Sequence, residues 1–150
     1  MKKIAFLSIT FAALISCGDN SLKQAEALLS QASADFEQGR YEEARACIDS
    51  LRKAYPNAID TRKKALQLYQ DIELKKAQLE LAEADSILQA VQRDYDYLQA
   101  KADKDKAALK ATAEELTMLT RTRMKRDSLR TQCETLGAKI RYIHKKQREK

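Results

Sequence analysis

Apolar residues recur along this chain at steps of three and four, the spacing of one helix face. The first such stripe is Leu22, Ala25, Leu28, Leu29, Ala32 and Phe36. Ser21 and Gln24 fit a capping box ahead of it, so a helix is predicted from about Leu22 to Gln38. Gly39-Arg40 breaks it. A second helix is predicted over Tyr41–Ala54, with Tyr41, Ala44, Cys47 or Ile48, and Leu51 inward, and Pro56 cannot continue it. Asn57 is a candidate N-cap for a third helix. Its stripe reads Ala65, Tyr69, Ile72, Leu79, Ala84, Leu88, Val91, Tyr95, Leu98 and Ala102, close to a coiled-coil heptad. Lys104 to Thr112 is polar, and Thr112 with Glu115 forms another capping box, which predicts a turn between 104 and 112. One uninterrupted helix is the alternative. The last helix is predicted from Ala113 to near Gln147, with Leu116 and Leu119, then Leu129, Cys133, Leu136, Ile140 and Ile143 inward. The hydrophobic pattern predicts that this stripe slips phase by three across the polar stretch Thr120–Asp127. Gly137 interrupts it, either to let a partner helix approach or to end the helix early.

Composition agrees with helices throughout. The 150 residues hold three Gly and one Pro, and the run from Asn57 to Leu136 holds neither. Sheets need turns built largely from such residues. One Val and nine Ile stand against 23 Ala and 18 Leu, a bias toward helix formers. The expected fold is all-α: a helix hairpin followed by long coiled-coil helices that form an antiparallel hairpin.

The amino-terminal residues read as an address. Lys2 and Lys3 precede an uncharged stretch, Ile4–Ser16, that is too short to span a bilayer. Leu14-Ile15-Ser16-Cys17 resembles the lipobox of bacterial lipoproteins. The resemblance implies cleavage between Ser16 and Cys17, a thioether-linked lipid on Cys17 and fatty acylation, palmitate for example, of its amino group. Stable anchoring takes two or more chains. Gly18 follows Cys17, where Asp would mark inner-membrane retention, so the expected location is the outer membrane with the chain in the periplasm; surface exposure is the alternative. The expected organisation is signal peptide 1–16, lipidated tether 17–20, hairpin 21–56 and coiled coil 57–150. Loss of Lys2 and Lys3 lowers the net charge from +6 to +4.

Residues Ala25 to Ala58 resemble one tetratricopeptide repeat, a helix hairpin of 34 residues. Gly39, Tyr41, Ala44, Ile48, Leu51, Pro56 and the small Ala32 match its pattern. Leu28, Gln31 and Asp35 depart from it. A single repeat is too few for a peptide groove, since about three are needed. Ile48-Asp49-Ser50-Leu51-Arg52 with Tyr55-Pro56, and Ala138 through Gln147, also resemble a family of small bacterial envelope lipoproteins that has no assigned activity to transfer.

Little catalytic chemistry can be placed. His144 is the single histidine and stands beside Lys145 and Lys146, which oppose a cation; no metal or other cofactor is expected. Cys47 and Cys133 are expected as buried free thiols, with an intra- or intermolecular disulfide as the alternative. The carboxylates one or two residues apart (Asp94 and Asp96, Asp103 and Asp105, Glu114 and Glu115) miss the helical spacing that pairs side chains. No nucleotide-binding or nucleophile motif is present, and the expected protein is not an enzyme.

Charge is asymmetric. Residues 121–150 hold 11 Lys and Arg against Asp127, Glu134 and Glu149. Lys139, Arg141, Lys145, Lys146, Arg148 and Lys150 form a candidate anion-binding end. The expected function is a lipid-anchored helical interaction module. Its partners are the membrane, through the lipid, and another envelope protein or a second copy, with no nucleic acid and no small-molecule substrate. The alternative is a spacer that binds an anionic membrane surface or envelope polymer through the basic end.

Overall fold

The computed structural model describes residues 16–149, with side chains from Asn20 onward; residues 1–15, all but the last residue of the expected signal peptide 1–16, and Lys150 lie outside the described residues. Four helices follow in order: α1 (Ser16–Glu37), α2 (Tyr41–Ala54), α3 (Ile59–Ala107) and α4 (Ala113–Arg148). No strand occurs among the described residues. The fold is all-α. The chain divides after Ile72 into two compact units, so α3 contributes to both.

The first unit is a helix hairpin closed by the start of α3. Ala25 and Ala32 of α1, Ala44, Ile48 and Leu51 of α2, and Ala65 and Ile72 of α3 are buried together. Alanines on facing helices allow close approach, and the larger Ile and Leu fill the space between. Leu28, Leu29, Tyr41, Cys47 and Tyr69 pack around this centre. The Phe36 and Tyr41 rings meet at 5.9 Å, tilted by 52°. The helix begins at Ser16, ahead of the expected start at Leu22, so residues 17–20 are helical backbone where the sequence suggested a tether. Ser21 is therefore an interior residue. Helix propagation is cheap once the packed turns beyond it are in place.

The hairpin turn ends α1 with a Schellman motif. Gly39 has φ +75°. Its N–H donates to the Phe36 carbonyl at 3.0 Å, and the Arg40 N–H donates to Asp35 at 2.8 Å.

The second unit is an antiparallel helix pair. As the partner on α3 moves from Glu73 to Tyr95 to Lys101, the partner on α4 moves from Lys139 to Arg126 to Glu115. Ala77, Ala84 and Leu136 form its buried cluster, flanked by Leu81, Cys133 and Ile140. The turn expected between 104 and 112 is present, and the alternative of one uninterrupted helix is set aside.

The structure corrects three sequence expectations here. Leu79 is 51% exposed, and the seam of α3 instead runs through Ala77 and Leu81, the heptad positions that precede Ala84. Hydrophobicity draws the stripe to a leucine where an alanine carries the packing. The stripe of α4 does not slip either. Glu115, Leu119, Thr122, Arg126, Leu129, Cys133, Leu136, Ile140 and Ile143, in unbroken heptad steps, are all at least partly buried. The polar stretch hides the seam because its inward residues are Thr122 and Arg126. Finally, Gly137 neither ends α4 nor admits a close neighbour. A Cβ built there meets only the Arg141 Nη1 atom, at 3.5 Å.

Candidate functional site

The basic end of α4 does not present its cations as one free cluster. Lys139 is turned toward α3, where its Nζ donates to Glu73 at 2.8 Å. Lys146 donates to Glu149 at 2.8 Å, and Lys145 lies 3.8 Å from the same carboxylate. The Lys146 ammonium also stands 5.7 Å from the Tyr142 ring centroid. Its pKa is raised, chiefly by the hydrogen bond to Glu149. Arg141 and Arg148 are exposed and make no ion pair with any described residue, and Lys150 lies outside the described residues. Arg141, Lys145 and Arg148 follow one another at four and three residues, so they share the face of α4 away from Ile140 and Ile143. Among the described residues, Arg141, Lys145 and Arg148 thus present one basic stripe to solvent, while Lys139 and Lys146 are held closest to carboxylates. Exposed ion pairs such as Lys145–Glu149 contribute only ~0–1 kcal/mol, so these lysines can still exchange partners.

Cys17, the candidate lipidation residue, and Ser16, the residue before the candidate cleavage point, lie at the start of α1. His144 is exposed, and no cluster of metal-ligating residues occurs among the described residues. No helix among the described residues is long and apolar enough to cross a membrane.

Two polar clusters escape a reading of the sequence. Asp35, one of the three residues that depart from the repeat pattern, is 4% exposed. The Arg40 guanidinium closes over it, with Nε donating to Oδ1 at 3.0 Å. The Cys47 Sγ lies 3.9 Å from Oδ2. Burial, then the negative Asp35 beside it, push the Cys47 thiol above its ordinary value. Cys47 and Cys133 are both free thiols. The Asp35–Arg40 spacing of five was the available signal, since it brings the end of α1 onto the residue after its turn.

The second cluster lies inside the helix pair. The side chain of Arg126 is only 14% exposed, and its guanidinium sits 4.0 Å from the Tyr95 ring centroid. It donates to Asp127 at 2.7 and 2.9 Å. That bond lowers the Asp127 pKa and raises that of Arg126. The Tyr95 hydroxyl donates to Gln99 at 2.9 Å. A charged residue at one seam position fixes the alignment of two helices, because any other register strands it against apolar neighbours.

The turn end of the pair is held by Lys101. Its ammonium donates to Asp105 at 2.8 Å and also to Glu115. The other Glu115 oxygen accepts the Thr112 N–H at 3.2 Å, and the Thr112 hydroxyl accepts the Glu115 N–H at 3.2 Å. The capping box read from the sequence is therefore formed, and Lys101 ties it back to α3. No family model, curated protein or solved structure matches the chain.

Proposed function

We propose that this chain is a lipid-anchored, non-catalytic protein of the bacterial envelope that acts as a helical interaction module. The observation that carries the reading is Leu14-Ile15-Ser16-Cys17 placed directly after an uncharged apolar stretch. Cysteine is required there because its thiolate is the nucleophile that accepts the lipid. The helices beyond Cys17 offer faces for docking another envelope protein or a second copy. The reading is tested by metabolic labelling with an alkyne fatty acid. Label incorporated into the wild type and absent from Cys17→Ala supports it; equal labelling of both sinks it. Crosslinking and co-purification from the native envelope then identify the partner.

A second reading rests on the stripe Arg141, Lys145 and Arg148, which suits an anionic lipid surface or envelope polymer. Deleting residues 138–150 should then weaken envelope association at low salt. Association and partner recovery left unchanged would remove this reading.

A further inference from the structure

The first unit carries a second basic surface, at the end of the hairpin from which α1 starts. Ser21 and Leu22 line a cleft with Tyr55, Pro56 and Ala58, so the start of α1 lies against the loop between α2 and α3. Beside that loop, Arg52, Ile59, Arg62, Lys63 and Leu66 line a second cleft of about 260 Å³. Ile59, Arg62, Lys63 and Leu66 stand at steps of three, one and three, which is one face of α3. The apolar members are unusually open to solvent: Ile59 is 63% exposed and Leu66 is 51% exposed. Arg62 donates to the Pro56 carbonyl at 2.8 Å, which holds its guanidinium at this end. Lys63 has one exposed carboxylate neighbour, Asp60, at 3.3 Å. The opposite end of the hairpin leans acidic: Glu37, Glu42 and Glu43 surround the Gly39 turn, where Arg40 is engaged by Asp35 and Arg45 lies 3.6 Å from Glu42. The two ends are separated by the 14 residues of α2, about 20 Å at ~1.5 Å per residue.

Cys17 precedes Ser21 by four residues of continuous helix, a rise of about 6 Å. A lipid on Cys17 would therefore hold the basic, apolar end against the bilayer and keep the acidic end away from it. Exposed Ile and Leu between cations is the pattern of surfaces that rest in the interface of an anionic membrane.

We propose that Arg52, Ile59, Arg62, Lys63 and Leu66 form a membrane-facing patch that lays the anchored end of the first unit on anionic lipid headgroups. The proposal rests on the reading of Cys17 as the lipid anchor. The chain contains no Trp, so a single introduced Trp reports its own position. The full chain is made with Ile59→Trp, Glu43→Trp or Tyr142→Trp, each with and without Cys17→Ala. Each is mixed with vesicles of phosphatidylglycerol and bromine-labelled phosphatidylcholine, and its intact mass is recorded.

The expected result is strong quenching at position 59 and little at position 43. Without Cys17 the quenching at position 59 should persist at low salt and fade at high salt, as screening weakens surface attraction. Arg52→Glu with Lys63→Glu should lower vesicle binding of that form about tenfold or more, since each cation near an anionic surface contributes about a kcal/mol. Quenching at position 59 no greater than at position 43 overturns the patch. So does quenching at position 142 alone, which assigns the contact to the basic stripe of α4. A mass without acyl chains, together with quenching at position 59, refutes the anchor and leaves the patch standing.

Discussion

Leu109 stands in the turn between α3 and α4 where Gly39 stands in the turn between α1 and α2. Its φ is +56°, against +75° for Gly39. The Leu109 N–H donates to the Lys106 carbonyl at 3.0 Å, and the Lys110 N–H donates to Asp105 at 2.7 Å. These are the two bonds that Gly39 and Arg40 make to Phe36 and Asp35, so one motif is used twice. An L-residue in this left-handed region costs roughly 1–2 kcal/mol. Leu109 is 95% exposed, so its side chain returns almost nothing.

Leu109→Gly should therefore raise stability by about 0.5–1 kcal/mol, the relieved strain less the extra freedom of Gly in the unfolded chain. Urea denaturation measures it. A lower midpoint for the variant would contradict the strain argument.

Gly137→Ala should be stabilising by up to ~1 kcal/mol, because Gly137 is a helix-interior residue and the added methyl meets only a flexible guanidinium end. Destabilisation would overturn the argument that the added methyl is accommodated. The comparison of unfolding midpoints is sufficient.

Arg126→Ala should lower the unfolding midpoint through lost stacking on Tyr95 and lost stem packing. Arg126→Lys should recover only part of this, since an ammonium can neither stack as a plane nor bond Asp127 through two nitrogens. If both variants unfold like the wild type, Arg126 does not belong to the seam.

Cys47 should alkylate with a pH midpoint above the ordinary thiol value of 9.0, because burial and Asp35 both oppose the thiolate. Asp35→Asn removes the charge and leaves the burial, so the midpoint should fall part of the way back. A thiol with a raised pKa in the folded state contributes its full stability below the unfolded value, and that contribution is lost as pH rises through the folded value. Stability should decline above about pH 9. A midpoint at or below that of free cysteine would refute the assignment. Iodoacetamide kinetics followed by mass spectrometry give it directly.

Much of this architecture was legible. The spacing of Ala25, Ala32, Ala44, Ile48 and Leu51 marked the first hairpin, and Thr112 with Glu115 marked the start of α4, because caps and periodicity are local properties of backbone and side chain. Less could be read at Leu79, Thr122 and Arg126. There the inward position is set by the heptad phase shared with a distant helix, and local hydrophobicity points elsewhere. The candidate basic end shows the same division. Composition located the excess charge, but only contacts such as Lys139 with Glu73 and Lys146 with Glu149 reveal which cations are already engaged.

The sequence by itself determined that the chain is helical, where α2, α3 and α4 begin to within a residue or two, and that an uncharged apolar stretch precedes Cys17. The tertiary structure decided what those signals leave open. It made a turn at Leu109 without glycine, because paired helices can hold one strained residue in place. It put Asp35 and Arg126 inside, because Arg40 five residues on answers the Asp35 charge, and Asp127 with the facing Tyr95 ring answers that of Arg126.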